Sequence, residues 1–329
     1  MVLKRNENYW GKKPNINKIV FKFISNATAA LQALWSHDID IFEPGSEQVT
    51  EMPKNPEFAK EFNTIVFWEP TFGYWYIGWN QQRPFFKDKI VRQAMTLLTD
   101  RQGMVKELTK GKGAIVTGPF YIYGKQNDPN IQPWPYDPKK AAKLLDEAGW
   151  KDHDGDGIRD KDGIPFRFKY SYPAGNSSSE QMARLLKDDA AKVGIEVIAN
   201  PTEWSIFIGT LNDHNFDAAE SAWGGVVEDD PYQLFHSSQI QGRGSNYVSY
   251  NNPQADKLID QARRELDETK RYALYHQLHR LLHEDQPYTF LMTRPRYYFI
   301  DRRFENAIVH KLGIDPFEWY VPKAKQRYK

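Results

Sequence analysis

The most constraining feature of the sequence is a stretch, from residue 166 to residue 223, in which strand and helix patterns alternate. It begins with aromatic residues at every second position, which is the period of a half-buried strand. Ser177 and Glu180 then form a predicted capping box at the start of a helix. In chain order the predicted elements are strand 166–172, helix 177–194, strand 195–199, helix 203–212 and strand 216–223. A β-α-β-α-β run of this kind predicts an α/β fold.

Charge and cysteine content exclude several classes of function. The chain has 329 residues and a formal net charge of +1, without a basic or acidic block, so we expect no nucleic-acid partner. It contains no cysteine, which excludes disulfides, thiolate metal sites and cysteine nucleophiles. The length suits two domains of ordinary size.

The beginning of the chain does not resemble a secretion signal. Residues 1–6 are too polar to form the apolar centre of a signal peptide. No stretch approaches the roughly 18 apolar residues that a membrane helix requires. The sequence as written therefore predicts neither an export signal nor a membrane span.

An Asp-rich turn at residues 152–163 has the spacing of a calcium-binding loop. Asp152, Asp154, Asp156 and Asp160 occupy positions 1, 3, 5 and 9 of an EF-hand-type loop, with glycine at position 6. Gly163 stands where such a loop has its bidentate glutamate, and a predicted strand follows in place of a helix. Two interpretations stay open: a calcium site, or a polar turn that uses Asp and Gly because both tolerate positive φ.

Three histidines lie on one face of a predicted helix. His276, His279 and His283 follow the spacing i, i+3 and i+7, which could hold a transition metal. A helical projection places them opposite the leucine stripe that marks the buried side. We therefore predict a solvated histidine face in preference to a metal site.

Sequence signatures of catalysis are absent. The chain has no GxSxG nucleophile elbow, no GxxxxGK[ST] phosphate loop and no GxGxxG motif after a strand. No pair of carboxylates can be assigned as acid and base from the sequence alone. The sequence favours a protein that is not an enzyme.

Two tryptophans lie where α/β proteins bind ligands. Trp204 opens a predicted helix, and Trp223 ends a predicted strand just before Gly224 and Gly225. Ligands of open α/β sheets bind beyond the carboxyl ends of the strands, and glycine lets a ligand approach the backbone. These residues are predicted ligand contacts, although ordinary packing of either indole under a loop is the alternative.

Short stretches along the chain occur in the same order in one protein family. They lie at residues 6–40, 92–94, 100–101, 136–149, 223–231, 246–259 and 284–287. They resemble the family 5 extracellular solute-binding proteins of bacterial ABC importers, a group that includes dipeptide-, oligopeptide- and nickel-binding proteins.

The resemblance implies a class II periplasmic-binding-protein-like fold, with two lobes that close on a ligand about a hinge. Residues 1–44 would be a fragment of the first lobe, 45–291 the second, ligand-binding lobe, and 292–329 the return segment to the first lobe. Members of the family are longer at the N-terminus, so we expect this chain to be N-terminally truncated and its first lobe to be partial. The ends of the chain would then expose apolar strand surface. We expect them either to be weakly stable or to pair with another copy of the chain.

The resemblance also implies how a ligand would be held. In peptide-binding members an acidic residue three positions after the strand-ending tryptophan holds the α-ammonium group of the ligand. Here that position is Val226, and Glu228, Asp229 or Asp230 could replace it after a local shift. The predicted ligand-binding residues are Trp204, Trp223, Gly224, Gly225, Val226, Asp229 and Asp230.

The resulting functional prediction is a substrate-binding component of an ABC importer. It would bind peptides or a related small organic solute outside the cytoplasm, in the periplasm or its equivalent, and deliver it to a membrane permease. One alternative is a secreted peptide hydrolase, which would turn over a fluorogenic peptide. Another is a fragment that acts as an interaction module without transport, which would form a stable dimer and ignore small molecules.

Overall fold

The computed structural model describes residues 1–242 and 244–327. The chain forms two compact units. The larger unit comprises Gly73–Thr293, and the smaller unit comprises Met1–Phe72 with the segment that begins at Arg294. Each unit has its own main sheet and its own hydrophobic core.

The helices and strands alternate along most of the chain. The strands are β1 (Val2–Lys4), β2 (Lys18–Val20), β3 (Ile41–Phe42), β4 (Phe62–Phe67), β5 (Tyr74–Trp79), β6 (Ala114–Ile115), β7 (Asp160–Lys161), β8 (Ile164–Pro165), β9 (Arg167–Pro173), β10 (Glu196–Thr202), β11 (Ala218–Trp223), β12 (Tyr288–Thr293), β13 (Arg296–Asp301), β14 (Val309–His310) and β15 (Gly313–Ile314). The α-helices are α1 (Ala27–Trp35), α2 (Ser46–Glu51), α3 (Pro56–Glu61), α4 (Lys89–Leu98), α5 (Arg101–Leu108), α6 (Pro138–Glu147), α7 (Ser177–Ala191), α8 (Trp204–Asn212), α9 (Tyr232–Phe235), α10 (Pro253–Arg264) and α11 (Glu268–Asp285).

The larger unit is built on a six-stranded mixed sheet with the order β10-β9-β11-β5-β12-β6. Strand β9 runs parallel to both β10 and β11. Strand β5 is antiparallel to β11 and β12. The parallel part of the sheet therefore consists of three adjacent strands whose carboxyl ends lie at one edge.

Helices cover both faces of this sheet. One face packs against α4, α5, α6 and α7 around Trp79 and Tyr170. The other packs against α8, α9, α10 and α11 around Tyr76 and Tyr288. Alternate residues of a strand point to opposite faces, so in β11 Ala218 belongs to the first core and Ala219 to the second. The mixed α/β architecture agrees with the predicted fold class.

The predicted β-α-β-α-β run is confirmed as β9-α7-β10-α8-β11. One detail was wrong, because the residue that caps α7 is Asn176. Its side chain accepts hydrogen bonds from the Ser178 and Ser179 amides, in place of the predicted box of Ser177 and Glu180. Asparagine is among the best N-cap residues because its short side chain reaches the free amides of the first turn.

The smaller unit contains a three-stranded antiparallel sheet with the order β3-β13-β4. Its core consists of the buried residues Leu34, Val49, Phe58, Phe62, Tyr297 and Phe299. Strands β1 and β2 form a separate two-stranded ribbon whose residues are mostly exposed. Trp10 and Phe23 in this region are 92% and 89% exposed.

The boundaries of the compact units differ from the predicted segments 1–44, 45–291 and 292–329. The first boundary lies between Phe72 and Gly73, and the second between Thr293 and Arg294. Helices α2 and α3 supply Val49 and Phe58 to the smaller core, and β4 pairs with β13 along its length. These contacts between distant parts of the chain hold residues 46–67 in the smaller unit. Such contacts cannot be predicted from a local pattern in the sequence.

None of the helices in the described part of the chain is long and apolar enough to span a membrane.

Candidate functional site

The carboxyl ends of the three parallel strands bring Trp204 and Trp223 to one edge of the larger sheet. Strand β10 ends at Thr202 and leads into α8, which begins at Trp204, while β11 ends at Trp223 itself. Strand β9 lies between them. Both indoles contact the same core, because Trp204 lies against Phe207 and Trp223 against Tyr76.

Trp223 is one member of a row of four aromatic rings. Its indole stacks on Tyr76 at 6.0 Å between ring centroids and on Tyr247 at 5.8 Å. Tyr76 stacks in turn on Tyr288 at 4.0 Å. The indole Nε1 donates a hydrogen bond to the Tyr288 hydroxyl, 3.4 Å away. Trp223 is therefore fixed in orientation while its ring stays half-buried.

Trp204 has a more open environment. Glu203 caps α8 by accepting hydrogen bonds from the Ser205 and Ile206 amides. The Trp204 indole is 57% exposed and makes a tilted contact with Phe207 at 6.1 Å. Ile206, two residues further along α8, is 62% exposed. The start of α8 thus presents apolar surface to solvent.

The residues that follow β11, 224–230, form a loop that we call the edge loop. Val226 and Val227 are 52% and 64% exposed. The Asp229 carboxylate accepts a hydrogen bond from the Val226 amide at 3.2 Å, which closes a turn within the loop. The exposed groups of the edge loop therefore include the apolar side chains of Val226 and Val227 beside the carboxylates of Glu228 and Asp230.

The acidic residues of the edge loop all have partners within the larger unit. Glu228 pairs with Arg271 of α11 at 2.6 Å, and Asp230 pairs with Arg263 of α10 at 3.0 Å. Asp230 also accepts a hydrogen bond from the Tyr232 amide at the start of α9. The Asp230 carboxylate is thus held by groups of both α9 and α10.

Asp229 is the most buried of these acids, and burial raises the pKa of its carboxyl to about 6, against the opposing effect of the Val226 hydrogen bond. Tyr74 is the neighbour of Trp223 across the β5–β11 pair. Burial, and after it the nearby Tyr288 and Asp229, raises the pKa of the Tyr74 hydroxyl. The Tyr74 hydroxyl is buried and has no hydrogen-bond partner among the described residues. Asp229 and Tyr74 together form a polar element beside the aromatic row.

The sequence identified Trp223 but not the rings that hold it. Tyr76 and Tyr288 come from strands far apart in the chain, and Tyr247 comes from a loop. The alternation of Tyr74 and Tyr76 in the segment GYWYIGW was the available signal, because residues two apart in a strand share a face.

The Asp-rich turn brings three of the four predicted calcium ligands together. Carboxylate oxygens of Asp152, Asp154 and Asp156 lie within 4.8 Å of one another, and all three residues are exposed. Asp160 instead accepts from the His153 amide and pairs with the His153 ring. Calcium binding at this turn stays a prediction.

The carboxylates of the turn also bond to its own backbone. Asp152 accepts from the Gly155 and Gly157 amides at 2.7 and 3.0 Å, and Asp156 accepts from the Ile158 amide at 2.7 Å. Residues 160–165 continue as the two-stranded ribbon β7–β8. The turn thus has the internal hydrogen bonds of a structural Asp-Gly turn.

The prediction of a solvated histidine face on α11 was wrong. His279 and His283 are buried, at 0% and 8% exposure. A loop crosses this face of the helix, and each histidine binds its backbone: His276 donates to the Lys125 carbonyl, His279 accepts from the Asp128 amide, and His283 donates to the Thr117 carbonyl. The helix is therefore covered on two sides, which a projection from one apolar stripe cannot reveal.

The buried His279 imidazole should make the larger unit sensitive to acid. Burial lowers the pKa of this ring to about 3, from an ordinary value of 6.5. A depressed pKa means that the folded state binds fewer protons, so stability is complete above pH 6.5 and falls as the pH drops toward 3. Between pH 7.5 and pH 5, this group should cost about 2 kcal/mol of unfolding free energy.

Urea unfolding at both pH values tests this expectation with the variant His279→Gln, whose amide does not titrate. The variant should lose about 2 kcal/mol less than the wild type on acidification. His276→Gln, at a half-exposed position of the same helix, is the matched control and should track the wild type. Equal losses for wild type and His279→Gln would contradict the assignment.

Comparison with known proteins assigns the chain to a family. The profile described as "Bacterial extracellular solute-binding proteins, family 5 Middle" matches residues 1–246. The oligopeptide-binding protein AppA of Bacillus subtilis is 37% identical over 296 residues, which is 88% of this chain and 53% of that protein. The nickel-binding periplasmic protein of Escherichia coli is 27% identical over 297 residues, 87% of this chain and 55% of that protein.

Solved structures give the same result. The structure of AppA from Bacillus subtilis in complex with a nonapeptide superposes with a TM-score of 0.86 at 33% identity, and the match covers 98% of this chain and 64% of that one. The chain spans about half the length of the curated relatives cited above. These relatives are solute-binding proteins and not enzymes, and the family is periplasmic or extracellular. The chain belongs to family 5 of the bacterial extracellular solute-binding proteins.

Proposed function

We propose that this chain is part of the substrate-binding component of an ABC importer, that it binds peptides outside the cytoplasm, and that it delivers them to a membrane permease. Family membership supports the transport role. The similarity to AppA, an oligopeptide-binding protein whose structure holds a nonapeptide, supports peptides as the substrate class. The larger unit would be the second, ligand-binding lobe, and the smaller unit part of the first.

The observation that supports peptides as the substrate class is the chemistry of the surface formed by Trp223 and the edge loop. The half-buried Trp223 ring and the exposed Val226 and Val227 offer apolar contacts. Gly224 and Gly225 carry no side chain of their own that would keep a ligand from the backbone. A peptide matches this surface well, since its repeating backbone can bond to a backbone and its variable side chains can lie on apolar groups.

In this proposal Trp204 and Trp223 contact side chains of the peptide, and Gly224, Gly225 and Val226 contact its backbone. Asp229 attracts a cationic group of the ligand, assisted by the Tyr74 hydroxyl. Asp230 stabilises the conformation of the edge loop, because its carboxylate pairs with Arg263 and accepts a hydrogen bond from the Tyr232 amide.

Native mass spectrometry of the chain mixed with a tryptic digest of casein tests peptide binding. We expect a subset of peptides to remain bound, and Trp223→Ala to weaken the best of them at least about tenfold, because aromatic anchors dominate such contacts. Trp223→Phe keeps a ring in the aromatic row and should give an intermediate loss. Trp10→Phe, at a residue that is 92% exposed in the smaller unit, serves as the control.

Three results would contradict the proposal. One is the absence of any retained peptide; another is equal retention by the wild type and Trp223→Ala. The third is turnover of a fluorogenic peptide by the purified chain, which would indicate a hydrolase.

A further inference from the structure

Gln126 makes an unusual contact with the edge loop. Its side chain is 5% exposed and lies against Asp229, which is 103 positions further along the chain. The Gln126 Nε2 donates to the Asp229 carbonyl at 2.7 Å, and its Oε1 accepts from the Asp229 amide at 2.7 Å. One side-chain amide thus satisfies both backbone polar groups of a single residue, as a paired strand would.

The backbone on both sides of Gln126 is held by α11. The Lys125 carbonyl accepts from His276 at 2.9 Å, and the Asp128 amide donates to His279 at 3.0 Å. The buried Asp128 carboxylate also pairs with Arg280 of the same helix. Gln126 is therefore fixed to an 18-residue helix of the larger unit. Through its two hydrogen bonds it fixes the Asp229 backbone relative to that helix.

Other connections of the edge loop are weaker. The Glu228–Arg271 and Asp230–Arg263 ion pairs are both partly solvent-exposed, and exposed pairs contribute little because water screens them. Asp229 in turn binds the Val226 amide. Whatever fixes Asp229 therefore also fixes the turn that carries the exposed Val226 and Val227.

We infer that Gln126 is a positioning residue for ligand binding: it holds the edge loop in its binding conformation through the paired hydrogen bonds to the Asp229 backbone. This inference rests on the proposed function. A loop ordered before the ligand arrives does not lose conformational freedom on binding, so the affinity is higher. If only a fraction of the molecules has the loop in that conformation, the apparent affinity falls by that fraction.

The first test is Gln126→Met, which keeps the length of the side chain and removes both hydrogen bonds. Casein tryptic peptides retained by the wild type should bind the variant about tenfold more weakly. Without any peptide, hydrogen exchange of amides 226–230 should be at least about tenfold faster in the variant. Gln277→Met on α11, whose side chain donates to the Ala273 carbonyl of the same helix, should change neither measurement.

A second variant, Gln126→Glu, separates positioning from a general loss of structure. An ionised carboxylate can accept from the Asp229 amide, but it faces the Asp229 carbonyl without a proton to donate, and it lies near the Asp229 carboxylate. A protonated carboxyl restores both hydrogen bonds. Peptide affinity relative to wild type at the same pH should therefore be reduced at pH 8 and recover toward pH 5. A purely structural defect would not recover.

The outcomes separate this inference from the proposed function. If the wild type retains no peptide, the proposed function fails, while faster exchange at 226–230 in Gln126→Met would still support the positioning of the loop. If the wild type retains peptides and Gln126→Met retains them equally, the inference is overturned. Unchanged exchange at 226–230, or a Gln126→Glu variant whose relative affinity does not depend on pH, overturns it as well.

Discussion

Replacing Gly73 with alanine is expected to destabilise the larger unit by at least about 3 kcal/mol. Gly73 has φ +83°, a conformation that costs an L-residue about 1 kcal/mol. A Cβ at this position would lie 1.7 Å from the Trp223 carbonyl oxygen and 2.8 Å from the Gly224 Cα. Both neighbours are backbone atoms, so no side-chain rotation can relieve the clash.

A matched control isolates the clash from the conformational cost. Gly175 has a similar φ of +78°, but a Cβ there would meet nothing within 4 Å. Gly175→Ala should therefore lose only about 1 kcal/mol. Urea unfolding followed by far-UV circular dichroism measures both values, and equal losses for the two variants would contradict the clash.

Gly73→Ala should also affect the site, because relief of the clash must move the end of β11. Trp223 and Gly224 are the residues that the Cβ would push away. Peptide affinity should fall in this variant even where the folded fraction is unchanged. Close backbone approach at Gly73 thus links the start of β5 to the position of the aromatic row.

Those parts of the larger unit that follow from local sequence patterns could be predicted. The β9-α7-β10-α8-β11 run follows from alternation of residues, helical spacing and capping residues. The pairing of β5 with β11 and of β12 with β5 could not be predicted, because pairing between distant strands leaves no periodic signal. For the same reason, the sequence could not predict that residues 46–67 belong to the smaller unit.

In the candidate site, too, some residues could be predicted from the sequence and others could not. Trp223 and the glycines after it could be predicted, because a strand end followed by glycines is visible in the sequence. Gln126 could not, since it lies in an irregular loop and its contact with Asp229 spans 103 positions. The histidines of α11 show the converse error: a correct helical projection led to a wrong environment, because a loop without periodicity covers the polar face.

Several residues that carry the family resemblance have a structural role here. Asp137 caps α6 by accepting from the Lys140 amide. Asn246 bonds to the His236 and Tyr250 carbonyls and accepts from the Tyr250 amide, all within a loop. Residues such as Asp137 and Asn246 stabilise the fold and carry no information about the ligand. This explains why the resemblance assigns the family more firmly than it assigns the solute.

Arg92, another residue of the resemblance, should give the second large effect. Its side chain is 4% exposed. Its Nε and Nη2 donate to the Asp285 carbonyl at 3.0 and 2.9 Å, and its Nη1 donates to the Phe86 carbonyl at 2.8 Å and to the Lys87 carbonyl at 3.0 Å. Burial lowers the pKa of the guanidinium to about 10, so the group remains charged at neutral pH.

Arg92→Met is expected to cost about 3–5 kcal/mol of unfolding free energy. The variant leaves three carbonyls without this donor, and it removes the positive charge that stabilises the buried Asp285 carboxylate. Arg92→Lys keeps the charge, but a single ammonium cannot reach both Asp285 and the Phe86–Lys87 turn, so its loss should be intermediate.

Arg264→Met, at a side chain that is 83% exposed on α10, is the matched control and should change stability by less than about 0.5 kcal/mol. Urea unfolding at pH 7.5 measures the three variants. A loss in Arg92→Met no larger than in Arg264→Met would show that other donors replace the guanidinium. The predicted order, with Arg92→Met lowest and Arg92→Lys between it and the wild type, follows from geometry as well as charge, since only the planar guanidinium spans the end of α11 and the turn before α4.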